Sequence, residues 1–238
     1  MIRSVIAAVY LALFILLAGP PMMLYAVLTR SGDALYRVGL GGVLLIARGV
    51  GIRTRVEGLE NIPAGACLFA ANHTSNVDPP MIMGAIPRRV ALLAKKSLFK
   101  IPIMGKAFLL GEFVPVDRAD REEAVVSLET AASYMRRGRS FLIYPEGTRS
   151  ADGRLLPFKR GGFALAIKAG VPVVPVACAG AQRILPKKSL RIKPGELVVK
   201  FCAPIDPAGY ALGERGQLAA RVREAIAAAL PADQRPLV

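Results

Sequence analysis

Histidine, tryptophan and closely spaced cysteines are scarce or absent in this chain. Its 238 residues include one histidine, no tryptophan and three cysteines. One histidine without clustered carboxylates makes a poor metal site, so we expect no metal ion. Cys67, Cys178 and Cys202 form no Cys-x-x-Cys pair, and each lies in an apolar run. That setting favours buried, reduced thiols over redox or nucleophilic cysteines.

Acidic residues are also few. The chain has 17 Asp and Glu residues against 32 Lys and Arg residues, which gives a net charge of +15. Such a charge predicts an anionic partner: nucleic acid, an acidic lipid surface or a phosphorylated substrate. The chain has no aromatic-rich RNA-binding signature and no zinc-finger spacing, so we expect no nucleic acid. Its hydrophobic fraction of 53% exceeds the usual value of about 45–50%. Much of the excess lies near the N-terminus, which favours anionic lipid headgroups as the partner.

Residues 5–28 form a long apolar run that predicts a membrane-associated helix. About 24 helical residues measure roughly 36 Å, enough for a hydrocarbon core of about 30 Å. A cleaved signal peptide is the alternative. Only Arg3 precedes the run, and Pro20 and Pro21 lie where a cleavage site would need an extended chain. We therefore expect the helix to be retained and to kink at its prolines.

A second, weaker apolar run at residues 34–50 follows a polar turn. Arg37, Arg48 and three glycines make it a poor independent span. Asp33 is the predicted N-cap of this second helix. We therefore expect residues 1–50 to form a membrane-associated helical hairpin. Insertion into one leaflet is favoured slightly over a full crossing.

Residues 51–238 are predicted to form one α/β domain. Short apolar runs typical of strands alternate with helical stretches, which indicates a central mixed β-sheet of about seven strands flanked by helices. Pro172 and Pro175 lie in an apolar run and favour an edge position for that strand. Residues 180–195 form a basic loop without predicted secondary structure.

His73 follows a predicted strand, at the kind of strand end where α/β sheets build their sites. Its near-neutral unperturbed pKa makes histidine the natural general base, and Asp78 could orient the ring as in serine-type triads. Five residues on a helix differ by about 140°, so the two side chains meet only if His73 lies in a turn and Asp78 at a helix start. Pro79 favours that arrangement. The alternatives are a structural histidine and an Asp78 that only caps the helix.

Two further polar blocks follow predicted strands. In the first, Glu146, Gly147, Thr148 and Arg149 form a tight loop, in which Arg149 could hold a phosphate through a planar, bidentate contact. A surface loop with an incidental arginine is the alternative. The second block is residues 113–118, a strand that ends in the acid–base pair Asp117-Arg118. By itself, this pair is more often an exposed salt bridge than a site.

Together these blocks resemble the lysophosphatidic acid acyltransferase family of the glycerophospholipid acyltransferase superfamily, over roughly residues 53–205. In chain order, the matching segments are His73-x-x-x-x-Asp78, the strand ending in Arg118, Glu146-Gly147-Thr148-Arg149 and the Val-Pro unit at Pro172. The second block carries an extra proline, Pro115. His-x-x-x-x-Asp alone is a weak signal, whereas its combination with Glu-Gly-Thr-Arg about seventy residues later is specific.

The resemblance implies direct transfer of a fatty acyl group from acyl-CoA or an acyl carrier protein thioester, without a cofactor. The acceptor would be the sn-2 hydroxyl of 1-acylglycerol-3-phosphate, and the product phosphatidic acid. His73 and Asp78 would be catalytic. The implied substrate-binding residues are Glu146, Gly147, Thr148, Arg149, Arg118 and Lys95. The implied location is the inner, cytoplasmic membrane, with the catalytic domain facing the cytoplasm.

Three alternatives accompany this hypothesis. Another lysolipid, such as a lyso-ornithine lipid, could serve as acceptor through the same motifs. A lipase or esterase needs a Gly-x-Ser-x-Gly elbow, which the chain lacks, and Ser75 lies in a turn without that setting. A non-enzymatic protein that only binds anionic lipid would account for the charge and the apolar helices but not for the paired motifs.

Overall fold

A seven-stranded sheet flanked by helices forms the centre of the computed structural model, which describes residues 1–117 and 120–237. The fold class and strand number are as predicted. The helices are α1 Ile2–Thr29, α2 Asp33–Gly49, α3 Asp78–Ala85, α4 Met104–Leu110, α5 Arg121–Arg136, α6 Ala164–Ala169, α7 Ala181–Ile184 and α8 Arg215–Ala229. The strands are β1 Ile52–Glu57, β2 Leu68–Ala71, β3 Val90–Lys95, β4 Val114–Val116, β5 Ser140–Ile143, β6 Val173–Ala179 and β7 Gly195–Phe201.

The strand order places the loops after β2 and β5 side by side, at the carboxyl ends of the parallel strands. The order is β1-β7-β6-β2-β5-β3-β4, with β6, β2, β5, β3 and β4 mutually parallel. β7 is antiparallel to β6, and β1 is parallel to β7. The central strands β2 and β5 are buried along their whole length, as expected of parallel strands covered on both faces. The loops that follow them therefore emerge as neighbours at the carboxyl edge.

The predicted edge position of the proline-containing strand is wrong, because β6 lies between β7 and β2. Pro175 lacks an N–H group, and its carbonyl accepts from the Cys202 amide at 2.9 Å. On this side the β7 ladder starts only at Val176, and an isolated bridge joins Val173 to Ile205. The missing donor thus falls in a gap of the ladder, which lets an interior strand hold a proline.

Helices α1 and α2 form the predicted hairpin and pack against the sheet domain. Gly42 admits the ring of Phe14, since a Cβ at residue 42 would lie 2.3 Å from that ring. Gly19 likewise lies against Ile103, where a Cβ would lie 2.6 Å from the side chain. α1 continues through Pro20 and Pro21, and the face turned away from the domain exposes a row of apolar side chains.

Two local predictions near the hairpin and the basic loop need correction. The N-cap of α2 is Gly32, and Asp33 is the first helical residue. Its carboxylate pairs with Arg89, which also approaches Glu112 at 3.5 Å, so a long-range ion pair takes the place of a local cap. Within the basic loop at 180–195, a short helix, α7, forms behind Gly180.

Candidate active site

The loops after β2 and β5 carry His73 and Glu146, and two backbone contacts join them. The amide of His73 donates to Glu146 Oε1 at 2.8 Å. The amide of Ser150 donates to the carbonyl of His73 at 2.8 Å. His73 is therefore held on both sides of its peptide by the loop that contains Arg149.

His73 and Asp78 form the predicted contact, with Nδ1 to Oδ2 at 2.8 Å. Asp78 is fully buried at the first position of α3. The same Oδ2 accepts from the amides of Thr74 at 2.7 Å and Ser75 at 2.8 Å. Three donors on one oxygen compensate for the burial of the carboxylate. These amides precede the helix, so the alternative of Asp78 as a mere helix cap is wrong.

Asp78 Oδ1 faces the thiol of Cys178, with Sγ at 3.7 Å. Asn72 holds the peptide of Cys178 from both sides, since Nδ2 donates to its carbonyl at 2.9 Å and Oδ1 accepts from its amide at 2.7 Å. Burial, and then the charge of Asp78, raises the pKa of the Cys178 thiol, which stays neutral. Asn72 was not among the predicted site residues, although a polar residue directly before the histidine and after an apolar strand was a usable signal.

The other two cysteines, Cys67 and Cys202, are free; Cys67 is buried and Cys202 half-buried. Burial raises the pKa of both thiols.

Tyr144 fixes the plane of the histidine ring by stacking on it, with ring centroids 4.1 Å apart. Burial and the charge of Asp78 raise the pKa of Tyr144 well above its usual value, so it remains a neutral phenol. The His73 side chain is 18% exposed. Within the described residues, Nε2 forms no hydrogen bond. The ring thus presents its second nitrogen to incoming molecules while the first is held by Asp78.

Glu146 is a buried carboxyl whose pKa is raised to about 8. Burial is the main cause, and the negative charge of Asp78 adds to it. The amides of His73 and Leu156 and the guanidinium of Arg223 oppose the shift. In the folded protein this side chain is therefore mostly a neutral acid at pH 7.

The Glu-Gly-Thr-Arg loop has a cationic surface. Gly147 has a φ of +74°, and a Cβ there would lie 3.0 Å from Lys159 Cε. The ammonium of Lys187 lies 2.6 Å from the Arg149 carbonyl and 3.4 Å from Thr148 Oγ1. Thr148 is exposed and Arg149 half-exposed. In the part of the chain that the structure describes, the Arg149 guanidinium forms no ion pair, so it is available to an anion.

The remaining predicted residues lie towards β3 and β4. Lys95 is exposed at the carboxyl end of β3, the strand next to β5, and is in register with Val116 of β4. It therefore lies at the same edge as His73. Arg118 falls outside the described residues, and its role stays a prediction. Lys159 and Lys187 were not among the predicted site residues, because only the folded chain brings them to the Glu-Gly-Thr-Arg loop.

An apolar cavity of about 320 Å³ lies between the hairpin and the sheet domain. Pro79 and Pro80, directly after Asp78, form part of its wall. The opposite wall comes from α1 and α2, and α4 closes one side. Its size falls within the range of small-molecule sites, about 300–1,000 Å³. The cavity therefore extends from the neighbourhood of the dyad into the helical hairpin.

Within residues 1–117 and 120–237, no group of three or more His, Cys, Asp or Glu side chains could hold a metal ion. The site instead combines a histidine oriented by a buried carboxylate, a cationic loop and an apolar cavity. This combination is typical of α/β enzymes that activate a hydroxyl or water for attack at a carbonyl and whose substrates carry an anionic group and an apolar chain.

Comparison with known proteins identifies the family. The acyltransferase family model matches residues 53–179, and the chain belongs to that family of enzymes. The 1-acyl-sn-glycerol-3-phosphate acyltransferase of Limnanthes douglasii is 30% identical over 87% of this chain and 73% of its own length. The human alpha enzyme of the same name is 33% identical over 74% of this chain and 63% of its own.

A solved structure extends the likeness to nearly the whole fold. The crystal structure of the 1-acyl-sn-glycerophosphate acyltransferase PlsC from Thermotoga maritima has a TM-score of 0.78 and 30% sequence identity. The match covers 94% of this chain and 93% of that one. The resemblance predicted from the four sequence blocks is confirmed.

The raised pKa of Glu146 predicts a pH-dependent stability difference between the wild type and Glu146→Gln. Between the ordinary value of 4.5 and about 8, the folded carboxyl keeps its proton while the unfolded one loses it. Wild-type stability therefore falls over this range, because the folded state binds more protons. Glutamine does not titrate, and its oxygen can still accept from the His73 amide. We expect the unfolding midpoint of the variant, measured in detergent, to rise relative to wild type from pH 5 to pH 8. A constant difference would contradict the assignment.

Proposed function

We propose that this enzyme transfers a fatty acyl group from an acyl thioester to the sn-2 hydroxyl of 1-acylglycerol-3-phosphate, giving phosphatidic acid. The observation that carries this proposal is the oriented His73 ring, tied to the loop that bears Arg149. Among the described residues, His73 Nε2 has no hydrogen-bond partner and the Arg149 guanidinium has no carboxylate partner. A base and an anion site so close together suit an acceptor that carries both a hydroxyl and a phosphate. The names of the related enzymes support the same acceptor.

His73 acts as the general base. Asp78 accepts a hydrogen bond from Nδ1–H, so the lone pair of the neutral imidazole lies on Nε2. Nε2 takes the proton of the acceptor hydroxyl while the hydroxyl oxygen attacks the carbonyl carbon of the thioester. The carbon–sulfur bond then breaks, and the departing sulfur takes the proton from His73. The products are an ester and a free thiol, and no side chain becomes acylated.

The phosphate of the acceptor lies against the Glu-Gly-Thr-Arg loop. Arg149 supplies the planar, bidentate contact, and Lys187 adds an ammonium beside it. Glu146, neutral and bonded to the His73 amide, shapes the floor of the pocket without repelling the phosphate. Gly147 and Thr148 complete the loop. Lys95, at the carboxyl end of β3, is an outer phosphate contact, and the same role is proposed for Arg118 from the sequence resemblance alone.

The apolar cavity accommodates an acyl chain. Its wall begins at Pro79 and Pro80, so a chain that fills the cavity brings its carboxyl end towards the dyad. Acyl-CoA and acyl carrier protein thioesters are both donors of the required chemistry, and the overall positive charge suits either anionic carrier. The reaction needs no cofactor and no nucleic acid.

Residues 1–50 serve as the membrane anchor, and residues 51–238 form the catalytic domain. α1 is long and apolar enough to cross a membrane, with a mean hydropathy of 2.2. However, Ser4 near its start accepts a bond from Ile192, and Gly32 just after its end lies against Leu110. Contacts of both ends with one domain support a helix that lies in one leaflet rather than across the bilayer. The cytoplasmic face of the inner membrane is the proposed location, because acyl thioesters are made there.

Product analysis tests the function. Purified protein in detergent is given a palmitoyl thioester of CoA or of acyl carrier protein and one of three acceptors: 1-acylglycerol-3-phosphate, a lyso-ornithine lipid or 1-monoacylglycerol. We expect mass spectrometry to find phosphatidic acid as the main product, with the new ester at sn-2. Acylation of the lyso-ornithine lipid alone would reassign the acceptor. Release of free fatty acid without transfer would overturn the proposal.

Arg149→Lys tests the phosphate contact. Lysine keeps the charge but loses the planar fork, so kcat/KM for 1-acylglycerol-3-phosphate should fall about tenfold or more. Activity with 1-monoacylglycerol, which has no phosphate, should change little. Arg154→Lys is the matched control, because the Arg154 side chain donates to the carbonyl of Arg235 instead of facing the loop. An equal loss with both acceptors would contradict the phosphate role.

A further inference from the structure

The segment from Pro186 to Pro194 lies against the end of the helical hairpin where α1 begins and α2 ends. The amide of Ile192 donates to Ser4 Oγ at 2.9 Å, in the first turn of α1. The amide of Gly195 donates to the carbonyl of Gly51 at 3.0 Å, just after α2. The 186–194 segment is therefore continuous in space with the anchor, although it is far from it in sequence.

This segment exposes one large apolar side chain among cations. Leu190 is 90% exposed, while Ile192, two residues on, packs against the core. Lys188, Arg191 and Lys193 are exposed, and within the described parts of the chain none of them forms an ion pair. Residues 181–195 contain no Asp or Glu.

The position of Leu190 next to α1 distinguishes it from an isolated exposed leucine on the surface of a soluble protein. Two residues span at most about 7 Å, so Leu190 lies within that reach of the contact with Ser4. The first turns of α1 expose Ile2 and Val5 beside this contact, 78% and 59% respectively. An apolar tip that continues the lipid-facing helix, with cations around it, has the composition of a membrane-surface contact.

The segment also reaches the active site from its other end. Lys187 bonds to the carbonyl of Arg149, and the hydroxyl of Ser75 donates to the carbonyl of Leu185 at 2.7 Å. One short stretch of chain thus connects the surface beside α1 with the loop proposed to hold the phosphate and with the turn that carries His73. A lipid acceptor that leaves the bilayer here would meet that loop directly.

We propose that the 186–194 segment is a second membrane-contact element, which inserts Leu190 into the lipid layer and binds anionic phospholipid headgroups through Lys188, Arg191 and Lys193. The inference rests on the membrane attachment proposed for α1 and α2. It adds a contact that fixes the rotation of the catalytic domain on the membrane and turns the carboxyl edge towards the lipid. An acidic carrier protein is the competing occupant, and continuity with the apolar face of α1 favours lipid.

The insertion of residue 190 is measured directly. Leu190→Cys carries an environment-sensitive thiol dye in full-length protein bound to vesicles of phosphatidylcholine and phosphatidylglycerol. Leu59→Cys is the control, because Leu59 is 46% exposed beyond the end of β1, whereas Gly195 contacts Gly51 just before the start of that strand. Mock-labelled wild type gives the background from Cys202. We expect a blue shift and quenching by spin-labelled lipid at residue 190 and neither effect at residue 59.

The cations are tested by charge removal. Anionic and neutral vesicles are mixed in one sample with the full-length triple variant Lys188→Gln/Arg191→Gln/Lys193→Gln. The ratio of protein bound to anionic vesicles over protein bound to neutral vesicles is then compared with that of the wild type. We expect a fall of about fivefold for each cation removed. The control Arg136→Gln/Arg137→Gln/Lys200→Gln removes the same charge from exposed positions outside the segment, at the end of α5 and at the end of β7 away from Gly195, and should keep most of the wild-type preference.

The outcomes distinguish a failure of the proposed membrane attachment of α1 and α2 from a failure of the proposed membrane contact of the 186–194 segment. Wild type that does not bind vesicles would overturn the membrane attachment and this inference together. Bound wild type with an unquenched residue 190, or equal loss in both charge variants, would overturn the segment's role alone. A variant that keeps its lipid preference but loses rate only with the carrier-protein donor would assign the segment to that protein and overturn lipid contact.

Discussion

The geometry of the site depends on the hydrogen bonds that the buried carboxylate of Asp78 accepts. A carboxylate without access to water needs donors, and Oδ2 receives three of them, from His73 Nδ1 and the amides of Thr74 and Ser75. Two of these donors belong to the turn itself, so the group that orients the imidazole also shapes the backbone that carries it. The rigid start of α3 at Pro79 holds the carboxylate in place for both purposes.

Two carboxyl groups bond to the same histidine residue in different ways. Asp78 accepts a hydrogen bond from the ring N–H and is surrounded by donors. Glu146 accepts a hydrogen bond from the backbone amide and is kept neutral by burial and by the charge of Asp78. This difference leaves the floor of the pocket without a second negative charge. An anionic group beside Arg149 would then meet cations and a neutral acid, which favours phosphate over a neutral headgroup.

Local sequence patterns predicted the elements and the dyad because their causes are local. Apolar runs marked the strands, and Pro79 marked the helix start that lets His73 meet Asp78. Features that depend on strand order could not be predicted. The interior position of Pro175 requires a gap in the β7 ladder, and the clamp of Asn72 on Cys178 requires β2 and β6 to be neighbours. Thus the contact between His73 and Asp78 was predictable from the motif, whereas the contacts that support it were not.

The most direct test of the central claim is the single-turnover rate of His73→Ala with 1-acylglycerol-3-phosphate and palmitoyl-CoA, in protein whose thermal midpoint and vesicle binding match wild type. Loss of a general base typically costs a hundred- to ten-thousand-fold, so we predict a rate lower by about that factor and no acylated protein in the quenched reaction. A variant that keeps more than about a tenth of the wild-type rate, or an acyl group attached to the protein, would contradict direct transfer by a histidine base.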